Sequence, residues 1–138
     1  MIKNIRRLEP TESQIQMAIV EWANCIDSPY ITLGFDWFPK KLGELLIKIP
    51  NEGKRSWFLC KKMKKEGMKK GVSDLFLAVP NNKKGFGGLW IEVKSLNGKI
   101  SKDQENWLYF MNSLGYEGKI VRSVDEGIQA IKDYLGMK

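Results

Sequence analysis

The sequence predicts an α/β fold, a central mixed β-sheet flanked by helices, in the order α-β-α-β-β-α-β-α. Three observations predict it. Apolar residues recur at helical spacing over residues 11–26, 101–114 and 123–135. Short apolar runs of strand length lie at 44–50, 74–79, 89–94 and 119–122, bounded by Gly, Pro, Asn and Ser. The two kinds of segment alternate along a chain of 138 residues, and helices layered on a sheet bury both. At this length residues 1–138 read as one domain, able to bury roughly two-thirds of its unfolded surface without disulfides or a structural metal.

Each element follows from local chemistry. In the first helix Ile15, Ala18, Ile19 and Trp22 make an apolar stripe, and Thr11 with Gln14 forms a capping box. Glu12 falls about 70° from the centre of that stripe, with Gln16 one turn further along the same side and Glu21 on the opposite border. Residues 27–43 are aromatic, contain Pro and give no clear period. Residues 44–50 read as a short strand followed by a turn at 51–53. Residues 56–66 read as a strongly basic helix ended by Gly67.

Two clear strands follow, at 74–79 and 89–94, separated by a turn-forming segment of hairpin length. Ser101 and Gln104 cap a helix whose stripe is Trp107, Leu108, Met111 and Leu114. Residues 119–122 give a further strand of the sheet. Ser123 with Glu126 makes another capping box, opening a last helix with apolar Ile128, Ile131 and Leu135.

Composition removes whole classes of chemistry. The chain has no His, so a Ser-His-Asp or Cys-His site, a His base and a His metal ligand are excluded. Two Cys build neither a zinc site nor a disulfide framework, and free thiols suit a reducing, intracellular setting. No apolar run approaches the ~20 residues that span a bilayer, and the N-terminus lacks the apolar stretch of a signal peptide. No basic helix has the large apolar face of a membrane-surface binder. The formal charge of +7 favours a polyanion, nucleic acid first.

The informative feature is Gly71-Val72-Ser73-Asp74, followed eighteen residues later by Glu92-Val93-Lys94. Residues two apart in a strand share a face, so Glu92 and Lys94 point one way while Ile91 and Val93 point the other. If the strands pair as a hairpin, Asp74 approaches Glu92 within about 5.5 Å. Carboxylates that close repel unless a proton or cation lies between them, and Mg²⁺ suits two carboxylates beside a phosphate. Lys94 is then the amine placed to hold or deprotonate an attacking water and to offset charge on phosphorus. An acid-x-Lys triplet alone is more often a solvated surface pair.

The chain resembles the VRR-NUC nucleases, a branch of the PD-(D/E)XK superfamily, over residues 12–135. The resemblance rests on ordered blocks: Glu12-Ser13-Gln14-Ile15-Gln16, residues 49–56, residues 65–75, Leu89-Trp90-Ile91-Glu92-Val93-Lys94, Ser101-Lys102-Asp103-Gln104, and the closing segment from Asp125-Glu126 to Tyr134-Leu135. It implies a restriction-endonuclease-like core and Mg²⁺- or Mn²⁺-dependent cleavage of DNA, with no small-molecule cofactor. Carried over, Asp74 and Glu92 resemble the metal pair, the Val93 carbonyl the backbone ligand, Lys94 the catalytic lysine and Glu12 the first-helix acid, often acting through water. Ser73 stands where the family usually has Pro, which would fix φ before the Asp.

Gln104 has two readings, as a cap and as an active-site neighbour. Gln16 reads as support for Glu12 and Glu21 as surface. Asn51 moves toward the DNA side through the family's Pro-Asn block. Lys54, Arg55, Lys61, Lys62, Lys64, Lys65, Lys69 and Lys70 are candidate phosphate contacts that read no sequence. Trp37, Phe38 and Trp57 read as core or interface rather than as base-stacking platforms.

The expected activity is structure-selective cleavage of DNA by a C2 homodimer, because a chain this short has no added recognition domain and one site cuts one strand. Stand-alone relatives point to four-way junctions and to the cytoplasm of a bacterial or phage-infected cell. The alternative is a non-catalytic basic DNA-binding module that keeps the fold.

Overall fold

The computed structural model describes residues 8–50 and 57–138. Its elements are α1 (Glu12–Cys25), β1 (Leu46–Lys48), α2 (Trp57–Lys65), β2 (Leu75–Leu77), β3 (Leu89–Val93), α3 (Lys102–Ser113), β4 (Glu117–Val121) and α4 (Val124–Leu135), in the expected order. The sheet runs β1-β2-β3-β4. The first three strands pair antiparallel, and β4 pairs parallel to β3 after the crossover through α3.

Alternation along the strands divides the sheet into two faces. One presents Leu46, Leu75, Leu77, Leu89, Ile91, Val93 and Val121, all buried beneath Ile15, Ile19 and Ala23 of α1 and Ile131 and Tyr134 of α4. The other carries Phe76, Trp90, Glu92, Gly118 and Ile120, and α3 lies across it, with Trp107 against Trp90 and Leu108 over Gly118. The fold is therefore three layers: α1 with α4, the sheet, then α3.

The caps form as expected at α1 and α3, each with both reciprocal hydrogen bonds. Gly67 ends α2 in a positive-φ turn that returns the Met68 N–H to the Met63 carbonyl at 2.9 Å.

Several expectations need correction. Residues Leu42–Leu45 form a 3₁₀ turn rather than the start of β1, because the Glu44 carboxylate accepts from the Lys40 and Lys41 N–H groups. The ladder of β2 stops at Leu77, while β4 begins two residues early, at Glu117. At α4, Ser123 caps Glu126, but the Glu126 side chain accepts from Arg122 N–H instead of closing a box. Leu114 is exposed because it sits past the last turn of α3. In α4 the buried line is Gly127, Ile131 and Tyr134, with Leu135 only half-buried; the Tyr134 hydroxyl donates to the Val79 carbonyl inside the core. Trp37 and Trp57 are not core: they are 76% and 71% exposed. Trp37 stacks within a surface cluster of Tyr30, Phe35 and Phe38.

Candidate active site

The hairpin pairing of β2 with β3 sets the site. Its register opposes Leu75 to Ile91, so the next pair outward is Asp74 and Glu92. Both project from the α3 side of the sheet, at the carboxyl end of β3. Asp74 Oδ2 accepts from the Val93 N–H at 2.8 Å, which fixes the carboxylate across the strand. Glu92 is 1% exposed and Lys94 8%, and Lys94 Nζ stands 4.0 Å from Glu92 Oε1. The solvated surface pair is thereby excluded: acid and amine are both inside the protein.

Gln104 resolves its two readings by satisfying both. Its Oε1 accepts from the Ser101 N–H at 2.9 Å and closes the α3 cap. Its Nε2 donates to Glu92 Oε1 at 2.9 Å. One side chain thus ties the start of α3 to the acid. The α2–β2 connection braces that start from the other side. Gly71 has φ +78°, and a Cβ there would lie 2.4 Å from the Asp103 carbonyl oxygen. Only glycine accepts both the conformation and the approach.

The electrostatics follow from burial. The Glu92 carboxyl is pushed up to about 8, first by loss of solvent and then by the charge of Asp74, with Lys94 opposing. Asp74 is also raised by burial, against the pull of the Val93 N–H. Glu92 Oε2 is buried with no hydrogen-bond partner among the described residues. A buried carboxylate oxygen left unpaired beside a second carboxylate is a position for a proton or a hard cation.

These groups open into a cleft of about 410 Å³ lined by Glu12, Asp74, Glu92, Gln104, Lys69 and Lys70. Glu12 reaches it from the first turn of α1, with its carboxylate toward Gly98. Among the described residues, no three acidic, Cys or His side chains stand close enough together to hold an ion unaided. The donors nevertheless fit Mg²⁺ or Mn²⁺: oxygen ligands only, one of them an unpaired buried oxygen, in a cleft with room for retained water.

Of the basic candidates, Lys69 and Lys70 rim the cleft. Lys61, Lys62, Lys64 and Lys65 are exposed on α2, with Lys61 Nζ 5.0 Å from the centre of the Trp57 ring. Asn51, Lys54 and Arg55 lie outside the described residues. Gln16 is half-buried and Glu21 exposed. Ser73 is fully buried, its Oγ without a partner among the described residues.

The sequence reading missed Arg122. Its Nη1 donates to the carbonyls of Ser95 and Gly98, at 2.9 and 2.8 Å, fastening the loop that leaves Lys94 and passes Glu12. An Arg directly after a strand gives no local sign of that role. The reading also missed Ser101 and Asp103 as lining of the cleft, although the cap at Ser101 places the first turn of α3 there.

Among the described residues no helix is long and apolar enough to cross a membrane. A solved structure described as a VRR_NUC domain protein is similar to this chain with a TM-score of 0.73, covering 95% of this chain and 93% of that one. The two are 20% identical, so this likeness speaks to the fold alone. No curated protein matches the chain. Residues 10–125, which hold Glu12, Asp74, Glu92, Lys94 and Gln104, match the VRR-NUC domain, and the chain belongs to that nuclease family.

Proposed function

We propose that this chain is a metal-dependent endodeoxyribonuclease that hydrolyses phosphodiester bonds in the Asp74–Glu92–Lys94 cleft. The observation that carries the reading is the buried Glu92 beside a half-buried Asp74, with Lys94 Nζ 4.0 Å from Glu92 and both acids lining a cleft edged by Lys69 and Lys70. A binding-only protein gains nothing from buried carboxylates that repel phosphate. Asp74 and Glu92, with the Val93 carbonyl and with Glu12 through water, would hold Mg²⁺ or Mn²⁺, which when bound polarises a phosphodiester and strengthens water as a nucleophile.

The protein's own groups do the rest. The Val93 N–H and Gln104 hold Asp74 and Glu92 in place, so little rearrangement precedes reaction. Lys94 orients the attacking water and neutralises charge that grows on the phosphoryl oxygens. Lys69 and Lys70 hold the backbone at the mouth, with the α2 lysines extending a sequence-independent track. Branched DNA is the proposed substrate, and a C2 homodimer presents one site to each strand.

The test is cleavage of labelled linear, flapped and four-way-junction DNA with Mg²⁺, Mn²⁺ or EDTA, wild type beside Lys94→Ala. Metal-dependent cutting of branched DNA that is lost in the variant supports the proposal. Equal cutting of linear and branched duplex removes the structural preference. Binding without cutting by the wild type supports the binding-module alternative. Light scattering with and without junction DNA reads the proposed dimer.

A further inference from the structure

The groove between β3 and α3 has two adjoining cells, and only one is acidic. On β3, Trp90 lies two residues before Glu92 and shares its face. On α3, Trp107 lies one turn beyond Gln104 and shares its side. Gln104 touches Glu92, and Trp107 meets Trp90 edge to face with ring centres 5.2 Å apart. The strand step of two and the helix step of three therefore build the same kind of contact twice, polar in one cell and aromatic in the next.

The aromatic cell opens into a pocket of about 400 Å³ whose walls include Trp90, Trp107, Met63, Met68 and Val72, with Lys69 at its edge. Val72 and Lys69 also line the acidic cleft, so the two spaces share a wall. The indole N–H groups of Trp90 and Trp107 have no acceptor among the described residues. Nothing among the described residues fills the pocket.

We infer that this pocket receives an unpaired nucleobase of the DNA, next to the phosphodiester held at Asp74 and Glu92. The inference rests on the nuclease reading above and names its substrate more closely: DNA with an unstacked nucleotide beside the cut. The occupant follows from two features. Flat aromatic and thioether walls suit a π face of any base. Lys69 lines this pocket, where it offsets Glu66, and with Lys70 also lines the acidic cleft, so the two lysines carry the attached backbone from one space to the other. A fully paired duplex keeps its bases stacked and leaves the pocket empty, so filling it selects branched, bulged or frayed DNA.

The experiment maps the cut on a labelled junction carrying unpaired nucleotides at its branch. Nucleotides flanking the cut are then replaced one at a time by an abasic residue, under metal conditions in which the wild type cuts. The expected result is one position, adjacent to the cut, where removing the base lowers kcat/KM about tenfold. Met63→Trp, which fills the pocket, should bring the ratio of intact to abasic rates close to one, with melting checked to confirm folding. Independently, 2-aminopurine at that position should be quenched on binding to Lys94→Ala, which retains the pocket. Cutting that is equal on intact and abasic DNA at every flanking position, or unquenched 2-aminopurine, overturns the inference while the nuclease reading stands. No metal-dependent cutting of any substrate overturns both.

Discussion

On one face of the sheet, Leu75, Leu77, Leu89, Ile91 and Val93 are sealed under α1 and α4. On the other face lie the residues between them, Asp74, Phe76, Trp90 and Glu92; Trp90 and Glu92 meet α3, and Asp74 and Glu92 line an open cleft with Gln104. The same strands supply both faces, yet their stabilities differ in kind. The first face gains from removing apolar surface from water, about 1.5–3 kcal/mol for each fully buried aliphatic side chain. The second holds two carboxylates and an amine whose burial is only partly offset by hydrogen bonds from Gln104 and Val93. The contrast teaches that the core face supports a charged face that would not hold itself together, and the strain is placed where cleavage is proposed.

The sharpest way to break the comparison is to remove charge from the open face. Lys94→Ala should lower cleavage by about 10³-fold or more, with melting close to wild type. Unfolding of this variant would show that Lys94 belongs to the stabilising face instead. The opposite manipulation is Ile91→Ala, one residue from Glu92 but pointing into the core. It should cost about 3 kcal/mol in denaturant titration while folded molecules keep their turnover.

Gly71→Ala acts on the junction between α3 and the sheet. The added methyl meets the Asp103 carbonyl, and Gln104 must shift away from Glu92. Activity should fall about 30-fold, with a stability loss of roughly 2 kcal/mol from the positive φ and the contact. Rescue of activity without correction of the α3 contact would separate the two roles.

Glu92→Gln tests the charge strain itself. The folded carboxyl is held near 8 against an ordinary 4.5, so the native state binds the extra proton between those values. Stability of the metal-free protein should therefore fall as pH rises from about 4.5 through about 8. In Glu92→Gln that slope should shrink to the part that the raised Asp74 contributes, and above pH 8 the variant should be the more stable by on the order of 2 kcal/mol. Thermal melts across pH in EDTA read this directly, and a slope unchanged in the variant would place the strain elsewhere. The smallest effect is expected from Lys64→Ala on exposed α2: a weaker DNA affinity, with the salt dependence reduced by about one counterion.

The sequence carried the element order, the caps of α1 and α3, and the placement of Asp74, Glu92 and Lys94 on one face. It did so because side-chain alternation, helical period and capping are set within a few residues of chain. The acid-x-Lys triplet became informative once joined to an Asp at the start of the preceding strand, since antiparallel pairing of neighbours needs only a short turn. The errors have two sources: a local backbone partner other than the expected one, as where Glu126 turned to the Arg122 N–H and Glu44 to the N–H groups before it, and a distant contact, as where Tyr134 reached the Val79 carbonyl and took the core position expected of Leu135.

By itself the sequence determined the chemistry available to this protein: an acidic pair, a lysine, no histidine and a positive surface. The tertiary structure alone decided that Gln104 both caps α3 and holds Glu92, that Gly71 must stay small against Asp103, and that Arg122 fastens the loop beyond Lys94. It also set Trp107 over Trp90 beside the acids. Each of these joins residues from separate elements, and such contacts exist only after the sheet register and the crossover of α3 have fixed which faces meet.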